Sequence, residues 1–342
     1  MRGFAAGEGG ASSALGTILM VAVTIVLAVS VGVFALDIGQ RQGAPTAEAA
    51  FEYEPTPAGL SMTATHIGED VAVELNGQRV AGFNASDAGK TVLLPTAPGD
   101  RVTVVSREGG RSVLVNKRID DRSEVGDLVA YYSFDQGSTN TIVDRSGNGN
   151  DGTAYGNYSR IVDDTGSALQ FDGQSGTHVD LGDLTVDGPA SVDEITIAIK
   201  YSKRDGSDDI QNLVEHQAGN FAWYLETDGQ HVAPHRMEYT IGYLNPPSGT
   251  LYAPSLAERS THVLVATFDG DEMVLYRNGT RLGSTPLDRD VALGDVVLAA
   301  DSNPSMQNFR GRMYQVRLYY TAFDDREAAV LSKAMGNEST SP

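Results

Sequence analysis

The chain has 342 residues, of which 45 are acidic and 25 basic, giving a formal net charge of -20 with no cysteine. Excess carboxylate excludes a nucleic-acid partner, whose phosphates require lysine and arginine patches, and the lack of cysteine excludes disulfides, thiolate metal sites and cysteine nucleophiles. The charge suits an exterior surface that stays hydrated and self-repelling in high salt, as in a halophilic organism, and only five of the basic residues are lysines (Lys90, Lys117, Lys200, Lys203 and Lys333).

In chain order, the first element is Ala11 to Leu36, 26 residues without a charge. A helix of that length reaches roughly 39 Å, enough to cross a hydrocarbon core of about 30 Å, so the spacing predicts a transmembrane helix over 11–42. The segment ahead of it, MRGFAAGEGG, is polar and glycine-rich and ends at Gly10. Cutting between Gly10 and Ala11 leaves the apolar helix on the mature chain, the reverse of a secretory signal. GAPTAEAA (43–50) is a linker, with Pro45 stopping the helix. The period then changes to two: AFEYE, LSMTATH, VAVELNGQRVAGF, KTVLLP, RVTVVS and RSVLVNKRI are short β-branched runs, with hairpin signals at Asn76-Gly77 and Gly109-Gly110. They predict a small antiparallel β-sandwich over 51–120. From 127 onward strands and turns dominate, Asn278-Gly279 marking a long hairpin with a two-residue turn. Asp324 or Asp325 caps a last short helix stopping at Gly336, before a tail at 337–342.

The sequence ASSALGTILMVAVTIVLAVSVGVF resembles the N-terminal segment of haloarchaeal type IV pilins, with Ser13, Ala14, Leu15 and Gly16 near that family's usual Ser-Pro-Val-Ile-Gly start and the proline missing. The resemblance implies a leader of residues 1–10 removed by a prepilin peptidase. The helix would then pack with other pilin subunits in a surface filament, or anchor the chain in the cell membrane as a single pass with its C-terminal domains outside. It also implies that 51–120 is a pilin-type head.

A second resemblance rests on four ordered blocks: LVAYYSFDQGSTNTIVDRSGNGNDGTAYG (128–156), ALQFDGQSGTHVDLG (168–182), THVLVATFDGDEMVLYRNGTRLGS (261–284) and VVLAADSNPSMQNFRGRMYQVRLYYTAFDDREAAVLSKA (296–334). They look like laminin-G-like domains, which implies a concanavalin A-like jelly roll over 127–336. The whole chain then reads as mainly β, with an N-terminal α-helix, a small β-sandwich and a jelly-roll β-sandwich. Such folds serve as lectins, protein-adhesion modules, calcium-dependent binders and glucanases.

A retaining glucanase needs two carboxyl groups about 5.5 Å apart, carried in this superfamily by an Asp-Glu-Ile-Asp-Ile-Glu strand. The nearest string here is Asp193-Glu194-Ile195-Thr196-Ile197-Ala198, in which Thr196 and Ala198 replace carboxylates. No catalytic residue is therefore assigned, and Glu226 and Asp228 read as strand end and turn. Calcium takes six to eight oxygens. The loop Asp144, Asn148, Asn150 and Asp151, with Asp135 and Asp172, supplies candidate ligands, although the same residues are ordinary turn formers. Trp223, Tyr224 and Tyr243 are candidate aromatic platforms for sugar rings, with interior packing as the alternative. Asn84, Asn157, Asn278 and Asn337 lie in glycosylation sequons. These features point to a membrane-anchored or pilus-incorporated adhesin whose jelly roll binds polysaccharide or glycoprotein. The alternatives are a tethered polysaccharide hydrolase or a purely structural pilin subunit.

Overall fold

The computed structural model describes residues 49–337 except 107–110, 136–138, 185–190, 205–209, 219–220, 229–235, 244–248, 255–259, 289–290 and 293. The Gly10–Ala11 bond, the apolar segment after it and the Gly109-Gly110 turn lie outside the described residues. No helix among the described residues is long and apolar enough to cross a membrane.

Strands and turns dominate, as the period-two pattern predicts. Residues 49–118 form two antiparallel sheets. One orders Ala49–Thr56, Gly59–Ile67 and Thr91–Leu94; the other orders Gln78–Phe83, Val71–Leu75, Arg101–Ser106 and Ser112–Arg118. Leu60, Met62 and Ala64 from the first sheet meet Val73, Val102 and Val104 from the second in one apolar cluster. Burying each such side chain contributes roughly 1.5–3 kcal/mol for the larger ones. Leu75 pairs with Gln78 across Asn76-Gly77, whose φ angles of 52° and 82° are those of a type I′ turn. Arg277 pairs with Thr280 across Asn278-Gly279 in the same way, at 50° and 80°.

The remaining strands build two larger sheets. The first runs in the order Gly249–Pro254, Arg236–Tyr243, Phe221–Asp228, Gln211–Ala218, Asp295–Leu298, His178–Asp183, Gly152–Tyr155 and Thr141–Ile142. The second places Ile195–Lys203 between Arg310–Tyr319 and Thr261–Phe268, with flanking strands on both sides and Leu128–Tyr132 paired to Arg310–Tyr319. Their facing sides enclose a core that includes Phe171, Ile197, Ile199, Tyr201, Trp223, Leu225, Tyr239 and Phe309. Asp324 accepts from the Glu327 N–H at 2.7 Å while the Glu327 carboxylate accepts from the Asp324 N–H at 2.8 Å. This reciprocal capping box starts the helix Asp325–Asn337, which runs one residue past Gly336.

The outer side of the second sheet is not left to solvent. Ala198, Val263, Val265 and Tyr319 join the helix residues Ala328, Leu331 and Met335 in the apolar cluster of the small sandwich. A buried ionic link crosses the same junction. Arg317, fully buried, stacks 4.3 Å from the centre of the Tyr131 ring and donates to the Pro95 carbonyl at 2.8 Å. Asp100 faces it; burial raises its carboxyl above the usual range, and Arg317, with hydrogen bonds from Asn76 and Ala97, opposes that rise. Gly126 fits the connection because it adopts φ +62° and a Cβ there would lie 2.1 Å from the Pro57 carbonyl.

Candidate functional site

Alternation along three neighbouring strands separates an apolar face from a polar one. Trp223 and Leu225, Tyr239 and Ile241 point into the core, so Tyr224 and Glu226, Glu238 and Thr240 occupy the opposite, outer face. A bulge between Asn212 and Val214 sends both Leu213 and Val214 inward and keeps Asn212 and Glu215 on the outer face. The register then aligns two rows across four strands. One is Glu215, Tyr224, Thr240 and Thr250; the other is Asn212, Glu226, Glu238 and Tyr252.

The rows form a hydrogen-bonded surface. Tyr224 Oη and Thr240 Oγ1 both donate to Glu238 Oε1, at 3.0 and 2.9 Å, and Thr240 Oγ1 lies 2.9 Å from Thr250 Oγ1. Asn212 Nδ2 donates to Glu215 Oε2 and, at 2.9 Å, to Gln307 Oε1. Glu215, Glu226 and Glu238 are 5, 6 and 9 % exposed, whereas Tyr252, on the edge strand, is 49 % exposed. Burial pushes the Glu215 carboxyl up to about 7; the nearby Asp301 charge raises it further, against hydrogen bonds from Ser302 and Asn212. Carboxylates, amides and hydroxyls beside a half-exposed aromatic ring offer both the hydrogen bonds and the stacking face that a sugar needs.

The residues singled out from sequence fall differently. Trp223 is a correction: it is 1 % exposed, packed in the core with its ring 5.6 Å from that of His216, and offers no platform. Tyr224 does lie on the outer face. Tyr243 pairs with Phe221 through the backbone, and its side chain lies outside the described set. Glu226 is mid-row in the sheet rather than at a strand end. Asn212, Glu215 and Gln307 carry no period-two signal in the sequence, because the bulge leaves Leu213 and Val214 adjacent in QNLVEH.

Glu194 and its strand belong elsewhere. Glu194 Oε2 accepts from the Ala322 N–H at 3.0 Å and Thr321 Oγ1 at 3.3 Å, and Thr196 Oγ1 donates to the Thr321 carbonyl at 2.7 Å. Ala198, the next residue on that face, is buried against the small sandwich. The face that would carry a glucanase motif is therefore packed against protein.

The six residues expected to hold calcium form no cation cage. Asp144 is the hub of its loop: Oδ1 accepts from the N–H groups of Tyr131 and Ser146 at 3.0 and 2.8 Å, and Oδ2 from Ser146 Oγ and the Asn150 N–H at 2.7 and 3.0 Å. Four donors take up the lone pairs a cation would use. Asp151 accepts from the Asp144 N–H at 2.8 Å, while Asn148 and Asn150 donate to the Val129 carbonyl at 2.7 and 2.9 Å. Both Asp135 oxygens bind Arg145 Nη2, at 2.7 and 2.6 Å. Asp172 sits at a different turn, accepting from the Gln174 N–H at 2.9 Å and Asn157 Nδ2 at 2.6 Å. Among the described residues no group of three or more His, Cys, Asp or Glu is arranged to hold a metal ion. As arranged, these residues do not fit calcium; they fit a loop built by side-chain-to-backbone bonds.

Of the sequon asparagines, Asn84, Asn157 and Asn278 are exposed, and the Asn337 side chain lies outside the described set. Asn278 Oδ1 accepts from the Val263 N–H at 2.8 Å, which fixes the hairpin tip.

The fold and this site define a mainly β, lectin-like jelly roll. Residues 172–329 match the laminin G family model described as the concanavalin A-like lectin/glucanases superfamily. Among solved structures, the binding domain of botulinum neurotoxin DC in complex with SialylT aligns at TM-score 0.51 and 11% identity, over 62% of this chain and 52% of that one. The same toxin domain in complex with rat synaptotagmin II gives 0.50 and 11%, over 62% and 52%. Domain 4 of an extracellular arabinanase from Geobacillus stearothermophilus, in complex with arabinotriose, gives 0.46 and 18%, over 60% and 98%. The chain thus spans about half the length of the toxin domains it matches. No protein of curated function matches the sequence.

Proposed function

We propose that this protein is a surface adhesin. Its apolar N-terminal segment, residues 11–42, anchors it in the membrane or in a pilus with other pilin subunits after a prepilin peptidase removes the leader. The jelly roll, outside the cell, binds polysaccharide or glycoprotein. The row Asn212, Glu226, Glu238 and Tyr252 carries this reading, because it runs buried hydrogen-bonding groups up to an exposed aromatic ring at a sheet edge. Binding asks only for such a surface, and several copies on one filament would raise avidity.

The test is retention of the full chain, in mild detergent, on immobilised glycans and glycoproteins. Tyr252→Ala should weaken retention about tenfold, the loss of one stacking contact of roughly 1.4 kcal/mol. Glu194→Gln should leave it unchanged, and no reducing ends should be released. Release of reducing ends that stops in Glu226→Gln would move the protein to the hydrolases, and equal retention by Tyr252→Ala would remove the site.

A further inference from the structure

The outer face of the first large sheet continues beyond the strand that carries Asn212 and Glu215. The row that holds Glu215 and Tyr224 crosses every strand of the sheet in register, from Thr250 at one edge through Asp180 and Thr153 to Thr141 at the other. Ile142, Ala154 and Val179 point into the core, so Thr141, Thr153 and Asp180 lie on the outer side. Tyr155 and His178 share that side. They are cross-strand partners, and their rings stack with centres 4.9 Å apart at an interplanar angle of 15°.

Among the residues whose side chains are described, the exposed aromatic ones are Tyr155 and Tyr252, at 46 and 49 %. Both belong to this one face. Their strands, Gly152–Tyr155 and Gly249–Pro254, are six steps apart in the sheet order, which is about 29 Å along the sheet at roughly 4.8 Å per step. A single terminal sugar reaches one of these rings, whereas a chain of sugars reaches both. Between them the half-buried Thr153, Asp180, Tyr224 and Thr250 present hydroxyl and carboxylate oxygens to sugar hydroxyls. Charge sets the class of chain. The row Asn212, Glu226, Glu238 and Tyr252 and the row through Asp180 contain carboxylates and neither lysine nor arginine. A polyuronate would meet charges of its own sign there, and a neutral chain can donate its hydroxyls to them.

We infer that this face binds an internal stretch of a neutral linear polysaccharide, laid across the strands with one sugar stacked on Tyr252 and another on the Tyr155–His178 pair. The inference rests on the sugar-binding reading of the outer face and adds to it a second platform, a chain length and a charge.

Titration calorimetry of the full chain in mild detergent tests it, with mannohexaose, cellohexaose, the matching trisaccharides and hexagalacturonate as probes. A hexasaccharide spans the two platforms and a trisaccharide does not. One of the neutral hexasaccharides should bind about tenfold more tightly than its trisaccharide, the gain from a second stacking contact, and more tightly than hexagalacturonate. Tyr155→Ala and Tyr252→Ala should each weaken that binding about tenfold, and the double variant about a hundredfold, because sites so far apart act independently. Val162→Ala, which trims an exposed apolar side chain of the other large sheet, should change nothing. A loss in Tyr252→Ala with none in Tyr155→Ala would leave a sugar site at the edge strand and overturn the extended chain; no loss in either would remove both readings. Binding of neither neutral hexasaccharide, equal affinity for hexasaccharide and trisaccharide, or equal affinity for hexagalacturonate also overturns the inference.

Discussion

Glu215→Gln isolates the energetic cost of the buried acid on the outer face. The Glu215 carboxyl rises from 4.5 to about 7 in the folded protein, through burial first and the Asp301 charge second. The folded state therefore holds a proton that the unfolded chain has already released between those values. Stability falls as pH rises from 4.5 through about 7 and is flat above. At about 1.4 kcal/mol per pH unit the full effect is roughly 3 kcal/mol, most of it between pH 5 and pH 8. Glutamine keeps an oxygen for Ser302 and cannot ionise. At pH 5, where both side chains are neutral, it should match the wild type to within about 1 kcal/mol, and it should gain on the wild type at pH 8. Urea unfolding, followed by the fluorescence of Trp223, the single tryptophan and a core residue, measures both proteins across that range. Parallel stability curves for the two would refute the assignment of a raised carboxyl to Glu215.

Other predictions follow from the same geometry. Asp144→Ala strips acceptors from three backbone N–H groups and one hydroxyl in a buried loop, and should cost at least about 3 kcal/mol in the same urea assay; a loss under 1 kcal/mol would show that the loop does not depend on its hub. Calcium should leave the thermal midpoint where a chelator leaves it, whereas a site filled at a hundredfold its Kd would add about 2.7 kcal/mol and raise the midpoint by several degrees. Mass spectrometry of the mature chain should find Ala11 at the N-terminus; an intact Met1 or a start at Phe4 would remove the pilin-type processing from the proposed function.

Several features of this protein are local and therefore legible in the sequence. Asn-Gly pairs at 76–77 and 278–279 fix two turns because both residues tolerate positive φ, and Asp324 with Glu327 fixes a helix start because the two side chains bond each other's backbone. Strand alternation predicted a face of apolar and a face of polar residues along each strand. What alternation cannot say is which face meets the core, or what covers the other. Trp223 and Tyr224 are adjacent and both aromatic, yet the pleat buries one and turns the other outward, a choice made by the register with neighbouring strands. Likewise, Ala198 faces the small sandwich, and Thr196 the Thr321–Phe323 segment, only because Ile195–Lys203 lies between two strands drawn from distant parts of the chain. The acidic loop at 144–151 looks the same in sequence whether its oxygens serve a cation or the backbone; the nearby strand Leu128–Tyr132 decides it by supplying N–H and C=O partners. The Arg317 link across the two sandwiches joins residues more than a hundred positions apart, and contacts of that separation leave no periodic trace in the sequence.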